Sequence, residues 1–288
     1  MNYIYYPGCS LEGTAREYDL SVRAIMTAAD VELHTLADWT CCGASAAHAT
    51  SHLLSLALPA RNLALAEGMD AAEDILVPCS ACYLNLQTAA CLKDHNTRRH
   101  INSVIGEEGL HWNGTGRVRH LLDVLSTDVG PECFRDRVEK PLSNLVIAPY
   151  YGCQCLRPFA VFDDPETPRS MEPLIEALGA TVFHWDMGGK CCGAANMNTK
   201  TDVGIALVGA ILNAATGADA ILTVCPMCQM NLEAYQNKIS RYYDKPLQIT
   251  ILYLPQLIGL ALGITEKDLG LHLNLAVTES FREKLKSA

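Results

Sequence analysis

The sequence lacks a long apolar run, a basic tract and a nucleotide-binding loop, and each absence removes a class of function. Its most apolar stretch, ITILYLPQLIGLALGI at residues 249–264, contains Pro255 and Gln256. It is shorter than the roughly 20 residues a bilayer requires, so a membrane-spanning segment is not expected. The first residues, MNYIYYPGC, show no basic n-region, no long apolar h-region and no A-x-A-like cleavage site. A secretory signal is therefore not expected, and the cytoplasm is the expected compartment. A net charge of −10 without clustered Lys or Arg argues against nucleic acid as a partner. Neither a GxGxxG nor a Walker loop is present, so flavin or nicotinamide binding is not expected. Asp and Glu form no paired arrangement suited to acid–base chemistry.

Cysteine, by contrast, is abundant. The 288 residues hold 13 of them, within a composition that is 49% hydrophobic and sufficient for a packed core. Thiols in a reducing compartment do not form a disulfide framework, which leaves metal binding or thiol chemistry as the better explanation.

The cysteines fall into two copies of one ladder. The first copy reads YIYYPGC to Cys9, CCGA with Cys41 and Cys42, and ILVPCSAC with Cys79 and Cys82. The second reads LVIAPYYGC to Cys153, CCGA with Cys191 and Cys192, and ILTVCPMC with Cys225 and Cys228. Intervening lengths are 31 and 36 residues in one copy and 37 and 32 in the other, so order is kept while loops drift.

Secondary structure repeats with them. Each copy opens with a short apolar strand ending in Gly-Cys, followed by a helical pattern, TAREYDLSVRAIMTAAD or SMEPLIEALGA, and a strand, VELHTLA or TVFHWDM. Beyond the CCG loop come a long helix, a buried strand into CxxC, and a helix starting near the second cysteine of that pair. The halves close alike, VRHLLDVLSTDVG at 118–130 echoing LYLPQLIGLALG at 252–263. The expected fold is α/β: two duplicated Rossmann-like domains with short parallel sheets, related by pseudo-two-fold symmetry. They are expected to occupy residues 1–135 and 136–288, joined through the polar stretch at 131–143, with a surface helix in the mixed-charge tail packing on the second domain.

Ligands of open parallel sheets sit beyond the carboxyl ends of the strands, so each half brings five sulfurs to one rim. A structural zinc takes four ligands, and neighbouring cysteines chelate one ion poorly because their side chains diverge. A cluster with several irons offers several partners. The C-x2-C-x2-C signature of an ordinary four-iron ferredoxin is absent from both halves. Zinc in at least one site, and a thioredoxin-like role for the CxxC pairs, remain as other readings.

The doubled pattern, C-x31-CC-x36-C-x2-C and C-x37-CC-x32-C-x2-C, resembles the twin cysteine-rich CCG domains of the B-type heterodisulfide reductase proteins over roughly residues 2–264. That resemblance implies two noncubane [4Fe-4S] clusters, one on Cys9, Cys41, Cys42, Cys79 and Cys82 and one on Cys153, Cys191, Cys192, Cys225 and Cys228. It implies a catalytic component of a larger complex, in which a disulfide, small or carrier-bound, is cleaved or formed between the facing clusters by paired one-electron steps. Its partners would be an iron–sulfur protein resembling the C-type component of heterodisulfide reductase and a flavoprotein resembling the A-type component. Related CCG domains also serve as electron-relay subunits of dehydrogenase and quinone-linked complexes, and a zinc-stabilised scaffold is the non-enzymatic alternative.

Around this frame, Gly43, Gly193, Gly8 and Gly152 are expected to allow a positive φ or close approach to a cluster. Lys190, directly before Cys191, is a candidate for stabilising an anionic cluster or substrate, whereas Thr40 holds the matching place. His48 and His184 are candidate proton donors to product thiolates. Of the three cysteines outside the pattern, Cys91 reads as a small core residue, Cys133 as incidental, and Cys155 as a candidate redox or supporting residue.

Overall fold

The computed structural model describes residues 1–44, 46–69 and 74–287. Two four-stranded, all-parallel sheets carry it. The first contains β1 (Asn2–Tyr5), β2 (Glu32–Thr35), β3 (Ile75–Val77) and β4 (Val118–His120) in the order β2-β1-β3-β4. The second contains β5 (Val146–Tyr150), β6 (Thr181–Val182), β7 (Ala220–Thr223) and β8 (Thr250–Tyr253) in the order β6-β5-β7-β8. Strand order is thus identical in the two halves, as duplication requires. In both, the chain switches direction across the sheet between its first and third strands, which pair at Tyr5↔Leu76 and Tyr150↔Thr223. A crevice opens at such a switch point beyond the strand ends.

Each half has one strand more than the sequence pattern reveals. The stretches that echo one another near 118 and 252 each open as a strand before turning helical, at Leu121–Val124 and Leu254–Ala261. A strand of three or four buried residues shows no alternation to read. β6 is shorter than its sequence promises: after Phe183 N–H bonds Ile147 C=O at 2.8 Å the chain leaves the sheet. The helices after the CxxC strands start earlier than expected. Cys79 and Cys225 are themselves the N-caps of Ser80–Ala90 and Pro226–Ala234, which puts Cys82 and Cys228 in the first helical turn.

One apolar core joins the halves. In the second sheet Ile147, Leu222 and Leu252 belong to the same buried cluster as the first half, while Ala148, Ile221 and Ile251 pack on the opposite face. That is the period-two alternation of a sheet covered on both sides. Across the join, Tyr18 and Tyr253 stack with ring centroids 4.0 Å apart and planes 5° from parallel. Ile25, Leu257 and Ile258 are fully buried there, each burial stabilising by about 1.5–3 kcal/mol.

The stretch joining the sheets includes a helix, Gly130–Arg135, with Phe134 buried. At the far end Glu279–Lys286 is the expected surface helix; Phe281 anchors it, and Lys284 Nζ lies 2.7 Å from Asp219 of the second half. Among the described residues no helix is long and apolar enough to cross a membrane.

Candidate metal centre

All ten patterned cysteines gather at the carboxyl ends of the strands, five to a half, and all thirteen cysteines are free thiols. Within the first set Cys42 and Cys82 approach to 3.3 Å and Cys9 and Cys41 to 3.8 Å. Within the second, Cys192 and Cys228 are 3.5 Å apart. All five sulfur residues of the second half line one cavity of about 70 Å³, together with Ser80, Tyr151 and Met227. Among the described residues no three Cys, His, Asp or Glu donors converge on a position for a single ion. Sulfurs arranged in pairs about a gap suit a group that contains several metal atoms rather than one tetrahedral ion.

The same devices build both sites. The Tyr6 hydroxyl donates to Thr40 C=O and the Tyr150 hydroxyl to Lys190 C=O, each at 2.7 Å, fixing the residue before each vicinal pair. Asn85 donates to Cys42 C=O at 3.1 Å and Asn231 to Cys192 C=O at 2.7 Å. The glycine N–H after each pair donates to sulfur, Gly43 to Cys41 at 3.5 Å and Gly193 to Cys191 at 3.3 Å. Gly8 and Gly152 have φ of +68° and +72°, and a Cβ on either would stand 3.0 Å from the sulfur of Cys82 or Cys228. Gly43 and Gly193 also have positive φ, so all four glycines meet their expectation.

Crowded thiols share protons unequally. Hydrogen bonds with Cys41 and then Cys82 pull the Cys42 thiol down to about 3, while Cys41 and Cys82 are pushed up. In the second half a hydrogen bond with Cys153 pulls Cys191 down to about 6, and one with Cys228 pulls Cys225 down to about 7. Each half therefore keeps thiolate available, and the free N–H groups at the starts of Ser80–Ala90 and Pro226–Ala234 favour that charge.

Lys190 and His184 line a separate cleft of about 410 Å³ with Arg169, Trp185 and Glu172. His48 is exposed on the short helix Ala46–Thr50 that follows the first CCG loop. Cys155 is buried, donates to Tyr151 C=O at 3.2 Å, and is pushed up to about 12 by burial. Cys91 is not a core residue: it is the exposed C-cap of Ser80–Ala90, one step beyond the helix face that packs. Cys133 lies half-buried in Gly130–Arg135.

Sequence reasoning passed over Tyr6, Tyr150, Asn85 and Asn231. The signal was present as C-x2-C-x2-N in both halves, CSACYLN and CPMCQMN, and as a tyrosine three residues before Cys9 and before Cys153. It also passed over Ser80 and His120, whose side chains meet at 3.2 Å at the seam between the halves.

Residues 3–87 and 147–233 each match the model of the CCG cysteine-rich domain. The chain is 37% identical over 277 residues to the 8-methylmenaquinol:fumarate reductase membrane anchor subunit of Wolinella succinogenes, covering 95% of this chain and 96% of that protein. It is 30% identical over 238 residues to the B-type component of the ferredoxin:CoB-CoM heterodisulfide reductase of Methanosarcina mazei, covering 80% and 78%. A solved hypothetical protein from Helicobacter pylori superposes with a TM-score of 0.75 over 96% of this chain. At 16% identity that likeness concerns the fold alone, and this chain spans about half (52%) of its length. The chain belongs to the family of twin CCG cysteine-rich domain proteins that includes the B-type component of heterodisulfide reductase.

Proposed function

We propose that this chain is the cluster-carrying subunit of an oxidoreductase complex and relays electrons between partner proteins. Cys9, Cys41, Cys42, Cys79 and Cys82 would hold one noncubane [4Fe-4S] cluster, and Cys153, Cys191, Cys192, Cys225 and Cys228 the other. When bound, such clusters supply reversible one-electron storage. The observation that carries this reading is that two alike five-sulfur sites meet at a filled seam. Ser80, next to Cys79, bonds the carbonyl of Val224, next to Cys225, at 3.2 Å, and the Tyr18 hydroxyl donates to the carbonyl of Pro78, on the other side of Cys79, at 3.2 Å. Ser80, Tyr18, His120 and Cys155 are all buried, so the short path between the sites runs through packed protein. Electrons pass through such a seam, whereas a substrate would need it open. Identity of 37% to a fumarate reductase component, above the 30% to the heterodisulfide reductase component, supports the same reading.

The chain's own residues then set charge and access. Backbone N–H groups and helix starts offset thiolate charge, and the paired tyrosines and asparagines hold the vicinal cysteines in place. Cys9, Cys41 and Cys191 are exposed and give each site an edge toward a partner. With no flavin or nicotinamide loop in the sequence, electrons must arrive from another protein, an iron–sulfur protein with ordinary cubane clusters or a flavoprotein.

Those exposed edges also favour a second reading, cleavage or formation of a disulfide at the clusters. Metal and sulfide analysis of anaerobically prepared protein should give about eight irons per chain for two four-iron clusters. About one or two zincs without iron would leave only a metal-stabilised scaffold. Reduced protein that consumes a disulfide stoichiometrically would favour the second reading; fast electron exchange without such consumption supports the relay.

A further inference from the structure

The two halves differ in front of their vicinal cysteines. Between its first cysteine and its vicinal pair the second copy is the longer, 37 residues against 31, yet its helix is the shorter, Glu172–Ala177 against Arg16–Ala28. The surplus is a loop over residues 154–171. Loops longer than about 15 residues inside a compact domain are uncommon and, when ordered, usually functional. This one is held in shape by its own side chains. The Asp163 carboxylate accepts the N–H groups of Asp164 and Ser170 at 2.8 Å, and Asp164 accepts those of Glu166 at 2.8 Å and Thr167 at 2.7 Å. Arg157 ties the loop to the chain ahead of Cys191, donating to Pro165 C=O at 2.5 Å and to Gly189 C=O at 2.9 Å.

Two residues before Cys41, the Trp39 ring packs edge-on against Tyr6, with centroids 5.6 Å apart. Two residues before Cys191 stands Gly189, preceded by Gly188, and neither has a ring to fill that place. The cleft of about 410 Å³ opens there, between the long loop and the stretch from Phe183 to Asp186. Trp185 is fixed as a flat apolar wall by its Nε1–H bond to Pro149 C=O at 2.9 Å. Arg169 reaches the cleft from the loop and Lys190 from the chain entering the CCG turn; among the described residues neither has an ion-pair partner. Of the carboxylates in the lining, Glu166 is taken by Arg157 at 3.3 Å, which leaves Glu172 and Asp186, with the His184 imidazole beside them. Two cations against two carboxylates leave no surplus for a polyanion such as a nucleotide. One anionic group can pair with the cations, whereas a second meets Glu172 or Asp186.

We propose that this cleft binds a small ligand made of one carboxylate and a flat apolar body, the carboxylate paired with Arg169 and Lys190 and the body laid against Trp185. A guanidinium takes a carboxylate through two parallel N–H bonds, an ammonium adds a point charge, and a flat ring against indole gains from stacking. Small-molecule pockets begin at about 300 Å³, so the cleft has the size for such a ligand. The bound ligand lies beside the second-half sulfurs, since Lys190 adjoins Cys191 and Tyr151 lines both the cleft and the five-sulfur cavity. The first half has Thr40 in place of Lys190 and Trp39 in place of Gly189, so the site belongs to the second half. Binding there requires no cluster, and the cleft stands whether or not the two-cluster reading does.

The test is titration calorimetry of the anaerobically prepared full-length chain with 2-naphthoate, beside the uncharged 2-naphthylmethanol and the doubly charged naphthalene-2,6-dicarboxylate. The monocarboxylate is expected to bind, and the other two to bind at least about tenfold more weakly. Lys190→Thr and Arg169→Gln, both at exposed positions, are each expected to weaken the monocarboxylate by about tenfold, the effect of losing one charge-assisted contact. Gly189→Trp, which installs the first half's residue, is expected to abolish binding; its Cβ has 3.5 Å to the nearest atom, Arg157 Nη2. If that variant does not fold, the two surface variants carry the test. A monocarboxylate that does not bind overturns the proposal, and so does binding that is equal for all three compounds or unmoved by Lys190→Thr and Arg169→Gln. Iron is measured on the same samples: binding by a chain that takes up no iron upholds the cleft and overturns the two-cluster reading.

Discussion

The two halves hold their vicinal cysteines with matched bonds, Tyr6 to Thr40 and Tyr150 to Lys190 at 2.7 Å each, and with matched glycines at φ near +70° before the first cysteine of each copy. They differ where they touch. At the seam the first half offers Ser80 and His120, and the second offers Pro226 and Tyr253. Duplication has therefore preserved what each sulfur site needs locally and released what lies between them.

The sharpest way to break this comparison is to remove one sulfur from each side. Cys42→Ala and Cys192→Ala take away buried, matched cysteines. On the two-cluster reading proposed above, each variant is expected to lose one cluster, with iron falling from about eight to about four per chain. If either substitution empties both sites, the halves do not bind metal independently.

A smaller effect of the same kind comes from Gly8→Ala and Gly152→Ala. Each places a Cβ 3.0 Å from a cysteine sulfur in a left-handed backbone. The backbone term alone is about 1–2 kcal/mol, and the displaced Cys82 or Cys228 should weaken iron retention as well. Equal losses in thermal unfolding and iron content would confirm that the two sites depend on the glycine in the same way.

These matched features were legible in the sequence to very different degrees. The ten cysteines were plain because thiols are rare and their order repeats, and the glycines were plain because they adjoin them. β4 was hidden by Arg119, which reads as a surface residue. In the fold it is buried and held by Asp123, by Asp74 at 3.1 Å and by Asp128 at 3.0 Å. Asn85 and Asn231 were readable in principle, since their spacing from Cys82 and Cys228 is the same, but asparagine has no metal chemistry to draw attention. Ser80 and His120 were not readable at all: Ser80 meets His120 and the Val224 carbonyl, about half the chain away, only in the packed seam.

The halves also differ in pH response. Glu233 is five residues beyond Cys228, and Gln87 holds the matching place beyond Cys82. Burial pushes the Glu233 carboxyl up to about 7 against the pull of the Ala276 N–H, and nearby Glu17 adds to the push. Because the folded state keeps this proton to higher pH than the unfolded chain does, its contribution is complete below the ordinary carboxylate range. It is lost as pH rises through about 7. Glu233→Gln installs the first half's residue and should flatten the fall in unfolding free energy between pH 5 and 8, by about 1–3 kcal/mol at the upper end. An unchanged slope would place the titrating group elsewhere.

The smallest effect tests the hydroxyl clamps. Tyr6→Phe and Tyr150→Phe each keep a buried ring and delete one bond to a backbone carbonyl. The expected cost is about 1 kcal/mol apiece, since the carbonyl loses a neutral partner while the ring still excludes water. Because Tyr150 holds the carbonyl of Lys190 and not its ammonium, Lys190→Thr, which copies the first half, should leave stability within about 0.5 kcal/mol of wild type. A large loss in Lys190→Thr beside a small one in Tyr150→Phe would mean that the exposed amine, rather than the main chain, holds the second vicinal pair. The likeness between the two sites would then be one of cysteines only.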